Sequence, residues 1–266
     1  LTSVTPGADM TVYAKWDKLY TLTLDPAGGT LAGGTLAGGT TLQLRAGENI
    51  AGRIASLIPE KADCLFGMWL LDGEELPADA TMGNGDMTLV ARYKVKYAVN
   101  LFVQNKTLDG YEKYGETLYD YDYAGKVLNS EQKLTGFTEV ANAASVTRLI
   151  LSTDTTKNVF VHYFDRATFA LTFVSNYPDG SENRRITRDV IYGVETDLPF
   201  VTFAMPGYYL EGWSLSADGE MAYYSHVMDG HLFNGTDPAV EKIIAEGNIT
   251  LYAVWSKGYT DLFGGE

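Results

Sequence analysis

Cysteine is almost absent from this chain: Cys64 is the single one in 266 residues. That excludes an internal disulfide, a thiolate metal site and the small disulfide-stapled folds. No apolar run approaches the roughly 20 residues that a membrane-spanning helix needs, so no membrane insertion is expected within this segment. Cations are also scarce, with 20 Lys and Arg against 34 Asp and Glu, a net charge of −14. Such a balance argues against nucleic acid, whose phosphates demand clustered Lys and Arg, and against an anionic membrane surface. The start at Leu1, with no Met, basic n-region or signal-peptide core, reads as an excised or processed piece. Hydrophobic content, 45%, is ordinary for folded protein.

What is present repeats. Three segments close alike: "DMTVYAKW" (9–16), "DMTLVARY" (86–93) and "NITLYAVW" (248–255). A fourth, "NVFVHY" (158–163), keeps the alternation and the final aromatic. Each alternates apolar and polar residues among β-formers, the pattern of a half-buried strand. The first three closers in the chain are each followed by an opening strand: "LYTLTLD" (19–25), "KYAVNLFV" (96–103) and "TFALTFV" (168–174). Between them lie "CLFGMWLLDGEEL" (64–76) and "YYLEGWSLSADGE" (208–220), which align on Trp69 and Trp213 and run into Asp-Gly turns. All four tryptophans, Trp16 and Trp255 included, therefore fall at recurrent strand positions and are expected to be core pillars.

Two helices are expected. In 49–58, Ile50, Ile54, Leu57 and Ile58 make one apolar stripe before Pro59. In 236–248, Asp237 is placed to cap, Pro238 to begin and Gly247 to end a helix that buries Val240, Ile243 and Ile244. The glycine-rich "AGGTLAGGTLAGGT" (27–40) lies between two strands and lacks a phosphate-loop lysine or a following helix. It reads as a hairpin loop lengthened by copying "LAGGT". The implied fold class is α+β, strand-rich, built of tandem small β-grasp-like modules.

The pattern "YTLTLDPAGGT … FGMWLLDGEEL … GDMTLVARY" resembles the Listeria–Bacteroides repeat, the B-type repeat of internalin-like surface proteins, and "GYYLEGW" (207–213) with "NITLYAVW" match that outline closely. In the first copy Asp63 and Cys64 replace the usual Gly-Tyr, and Tyr93 replaces the last Trp. The stretch 96–166, with "YEKYGET" and "LTGF", resembles a mucin-binding-protein-type repeat. Together the resemblances divide the chain into 1–16, the last strand of a preceding repeat; 17–95, a B-type repeat; 96–166, the mucin-binding-like repeat; 167–257, a B-type repeat with a helical insertion; and a tail, 258–266. They imply a secreted or wall-anchored bacterial protein serving in spacing or adhesion, with host glycans, mucin or surface proteins as partners. Residues 1–16, an isolated strand with unpaired backbone groups, are expected to pair with a sheet edge.

Candidate chemistry is thin. Of the histidines, His162 is expected to face solvent, while His226 and His231 flank Asp229 in a polar loop without a third converging ligand. Neither "DYD" (120–122) nor "NYPDGSEN" (176–183) has the acidic ladder of a calcium loop. There is no Gly-x-Ser-x-Gly elbow, and Cys64 sits in an apolar strand. No catalytic residue, metal or cofactor is expected, and an enzyme is the remote alternative. The weak ligand-binding candidates are Tyr119, Tyr121 and Tyr123 of "YDYDY", which share one face if extended. Aromatic rings stack on sugars, so a glycan contact is one reading. The preferred one has the three rings lining the core of the middle repeat.

Overall fold

The computed structural model describes residues 9, 11, 13–31, 40–225, 227–228, 231–232 and 241–258. Among them strands dominate, arranged in several sheets, and helix is confined to one α-helical and one 3-10 turn. The strand-rich expectation holds, while helical content is marginal for an α+β label. Contacts divide the chain into two compact units. Leu1–Ala98, Leu118–Asn129 and Arg148–Val159 form the first; Val99–Thr117, Ser130–Thr147 and Phe160–Glu266 form the second.

In the first unit lie β1 (Leu19–Asp25), β2 (Thr40–Arg45), α1 (Ile50–Ile54), β3 (Cys64–Leu71), β4 (Glu74–Glu75) and the first half of β5 (Met87–Gln104). The sheet order is β2-β1-β5-β3-β4, with β1 parallel to β5 and the other pairs antiparallel. Alternation in β1 turns Leu22 and Leu24 inward, both fully buried. They meet Trp69, Leu89 and Ala91 in one core, which α1 covers with Ile50 and Ile54. Asn49 caps that helix, accepting a hydrogen bond from the Gly52 amide at 2.7 Å. The helix is shorter than its apolar stripe, and Ile58 is exposed. Residues before a proline avoid the helical region, and Pro59–Glu60 is drawn into pairing with Thr30–Leu31. Most of the copied glycine stretch, 32–39, lies outside the described residues. Its flanks are antiparallel, Leu24 facing Thr40, as a hairpin requires.

The middle stretch contributes β6 (Tyr111–Lys113), β7 (Leu118–Tyr123), β8 (Val127–Asn129), β9 (Phe137–Val140), β10 (Arg148–Ile150) and β11 (Val159–Arg166). In the first unit β7 lies beside β5, and β8 pairs antiparallel with β10. In the second unit β6 pairs with the far half of β5, and β9 pairs antiparallel with β11. The inward face of β11 is Phe160, His162 and Phe164. His162 is therefore fully buried, which overturns its expected solvent position. Strand parity, not side-chain polarity, decides the face, and His162 lies two residues from each phenylalanine.

The second unit also holds β12 (Thr168–Val174), β13 (Arg185–Ile191), β14 (Tyr208–Ser214), β15 (Met221–Tyr224) and β16 (Ile249–Lys257). Their order, β13-β12-β16-β14-β15, repeats that of the first unit strand for strand. The register repeats as well: Leu22 opposes Met87 as Leu171 opposes Ile249, and Trp69 opposes Ala91 as Trp213 opposes Ala253. A bulge precedes each tryptophan, between Phe66 and Met68 and between Leu210 and Gly212. Where the first copy has α1, the second packs an irregular segment whose Leu198, Val201 and Phe203 enter the core around Trp213. The expected helix at 236–248 is corrected: Lys242–Ile244 is a strand paired with Glu195–Asp197, so Ile243 is buried and Ile244 exposed. Pairing satisfies this short stretch's backbone and sends its adjacent isoleucines to opposite faces. Asp237, Pro238 and Val240 lie outside the described residues.

Candidate functional site

The closing motif has a physical job at each end. Its first residue accepts a hydrogen bond from the opening strand: the Thr21 amide donates to Asp86 at 2.7 Å, and the Ala170 amide to Asn248 at 2.9 Å. Its last aromatic donates to the carbonyl just past that strand, Tyr93 Oη to Pro26 at 2.9 Å and Trp255 Nε1 to Ser175 at 2.7 Å. The motif thus ties both ends of the parallel pair at the centre of each sheet. Trp69, Trp213 and Trp255 are packed as expected. Trp16 is not: it is 89% exposed, and residues 13–16 form no strand.

The tyrosines of β7 do not line a core. Tyr119 is 59% exposed, and Tyr121 and Tyr123 are half-buried. Tyr119 and Tyr123 roof a row of cations on one face of β5. The Arg92 guanidinium lies 4.3 Å from the Tyr123 ring centre, Lys94 Nζ 5.7 Å from it, and Lys96 Nζ 4.3 Å from that of Tyr119. Such cation–ring contacts contribute about 0.5–1 kcal/mol each when exposed. Gly67 allows the approach, since a Cβ there would meet Tyr123 Oη at 2.5 Å. Opposite charges complete the patch: Tyr97 Oη donates to Asp120 at 3.1 Å, and Lys126 pairs with Asp122. Lys126 holds the Asp122 carboxyl below the ordinary carboxylate range, while burial, then the Asp120 bond, pushes the Tyr97 phenol up. The alternation of Tyr and Asp was legible in sequence; the cations beneath the rings were not, because they belong to a strand more than twenty residues away.

The buried imidazole of His162 lies 2.6 Å through Nδ1 from Glu139 Oε1 on β9 and 2.8 Å through Nε2 from Ser130 Oγ. Sequence reasoning missed this group. A polar residue followed by Tyr163 read as an outward position, and neither partner belongs to a recognisable motif. Among the described residues no three His, Cys, Asp or Glu side chains converge as metal ligands, and no helix is long and apolar enough to cross a membrane. His226, Asp229 and the side chain of His231 lie outside the described residues.

Residues 169–232 match the family model of the Listeria-Bacteroides repeat domain. The match spans β12 to β15 and stops short of β16, the strand that sits between β12 and β14 in the same sheet. No curated protein matches the chain.

Proposed function

We infer that this chain is a repeat segment of a bacterial cell-surface protein, in which the two tryptophan-containing copies serve as non-catalytic stalk or adhesive modules. The observation that carries the reading is the duplicated sheet. One copy matches the surface-repeat family, and the other shares its strand order, register, bulge and end-ties. The order, with first and last strands parallel at the centre, supports a β-grasp-like module for 17–95 and for 167–257. The latter is closed by β16 beyond the matched residues. The stretch 96–166 is the intervening repeat. Of residues 1–16, expected to pair with a sheet edge, 1–8, 10 and 12 lie outside the described residues and the rest form no strand in this structure; we keep edge pairing as a proposal, in which Tyr13 and Trp16, 88% and 89% exposed, are the side chains it would cover. Antibodies raised against the chain are expected to label intact cells of the source bacterium. Labelling only after lysis overturns the reading.

A second reading, a glycan or mucin contact on the middle repeat, is favoured by Tyr119. Its ring is exposed on a strand beside Asp120, with a cation fixing its orientation. Aromatic faces take sugar rings and neighbouring carboxylates take hydroxyls. Saturable binding on a mucin and glycan array, lost in Tyr119→Ala and Tyr121→Ala, is the expected result. No binding leaves the segment as a spacer.

A further inference from the structure

The middle stretch holds a constellation that neither spacing nor adhesion uses. Its members are Ser130 just past β8, Gln132, Glu139 on β9 and His162 on β11. The Glu139 carboxylate can only accept, so the Nδ1 atom 2.6 Å away carries the imidazole proton. In the neutral ring Nε2 is then the acceptor, and it takes the Ser130 hydroxyl hydrogen across 2.8 Å. Gln132 Nε2 donates to the same Oγ from 3.4 Å. His162 is fully buried and stacked on Phe164, whereas Ser130 and Gln132 are half-buried residues, so the base is dry and the serine lies nearer the surface. Serine, imidazole and carboxylate bonded in that order form the arrangement that activates a hydroxyl for acyl transfer. The Ser130 amide is engaged by the Thr147 carbonyl at 2.8 Å, and the Gln132 side-chain amide, 3.4 Å from Oγ, is a donor beside the place where an oxyanion would develop.

We propose that Ser130 is an acyl-accepting nucleophile, with His162 as its general base, Glu139 as the positioning residue and Gln132 as the oxyanion donor, acting on carboxylic esters. Ser130 Oγ adds to the ester carbonyl while its proton passes to His162 Nε2. The tetrahedral adduct collapses with cleavage of the carbonyl–alkoxy bond, and His162 returns the proton to the departing alcohol. Water then adds to the acyl-serine, again losing a proton to His162, and the carboxylic acid leaves as Ser130 recovers its hydrogen. The same atoms would permit transfer to an alcohol in place of water.

The test treats the full chain with a fluorophosphonate, maps the adduct by mass spectrometry, and follows hydrolysis of p-nitrophenyl acetate. One adduct on Ser130 is expected, together with turnover that Ser130→Ala abolishes. Gln132→Ala should lower kcat about 10²-fold. Glu139→Gln should lower kcat by at least about tenfold with KM unchanged, a split that loss of a merely structural bond does not produce. An unmodified Ser130 in the folded chain overturns the assignment and leaves the network a structural one. Labelling of Ser130 at equal rates in Glu139→Gln and Gln132→Ala overturns it equally.

Discussion

Asp86 and Asn248 hold equivalent places in the two sheets and accept the same strand amide, which makes the first letter of the closing motif a hydrogen-bond requirement rather than a charge requirement. Asn248→Ala is expected to lose about 1 kcal/mol in urea unfolding, the usual net worth of such a bond, while Asn248→Asp retains most of it. Tyr93→Phe should cost a similar amount, because its hydroxyl bond to Pro26 goes while the ring stays. The lone thiol supplies a pH test at the same scale. Burial pushes the Cys64 thiol up, against the opposing pull of Lys61. A raised folded value means a contribution to stability that is complete below the unfolded value, about 8.5, and is lost as pH rises through the folded one. Iodoacetamide should accordingly alkylate Cys64 more slowly in the folded chain than in urea at pH 8. Equal rates would remove the burial argument.

At the scale of elements, the bulge before each tryptophan sets how near the neighbouring strands come. A Cβ on Gly212 would sit 2.3 Å from the Tyr223 carbonyl oxygen, a backbone atom that cannot turn aside, whereas one on Gly85 would meet nothing within 4 Å. Gly212→Ala is expected to cost about 3 kcal/mol or more, and Gly85→Ala less than about 0.5 kcal/mol, read from urea midpoints. The strands were legible because alternation and a recurring aromatic survive in one dimension. The assignments that failed are ones decided by a distant partner. The Lys242–Ile244 stretch reads as a helix until Glu195–Asp197 is set beside it, and the Ile58 stripe until Pro59 pairs with Leu31. In the same way Tyr119 and Tyr123 read as core until Arg92, Lys94 and Lys96 appear beneath them, and His162 as surface until Phe160 and Phe164 fix its parity. Of the candidate sites, the tyrosines were visible as a pattern, while the Ser130–His162–Glu139 group was not. Its members come from three separate strands and loops, with no spacing to announce them.

At the scale of the whole molecule, the core of the last repeat is closed by its own residues, from Leu171 to Ala253. That self-sufficiency predicts that residues 167–258, expressed alone, fold with one cooperative transition. Within the second unit the repeat also leans on what precedes it. The Tyr192 ring meets Phe137 edge-on at 5.3 Å, its backbone carbonyl accepts from Arg166 at 3.0 Å, and its ring fills the space a Cβ on Gly136 would need. An aromatic pair and a charge-assisted hydrogen bond together contribute roughly 2–4 kcal/mol. For a domain of this size each kcal/mol moves the midpoint by about 4–8 °C. The fragment should therefore melt well below the corresponding transition of the full chain, and Tyr192→Ala in the full chain, which removes the ring contacts but leaves the carbonyl that Arg166 bonds, should reproduce the smaller, aromatic part of that difference. Should the fragment melt at the full-chain temperature, the Tyr192 contacts carry no stability. Should it fail to fold, its twelve-residue core is not sufficient by itself, and the repeat is a module only in the company of its neighbour.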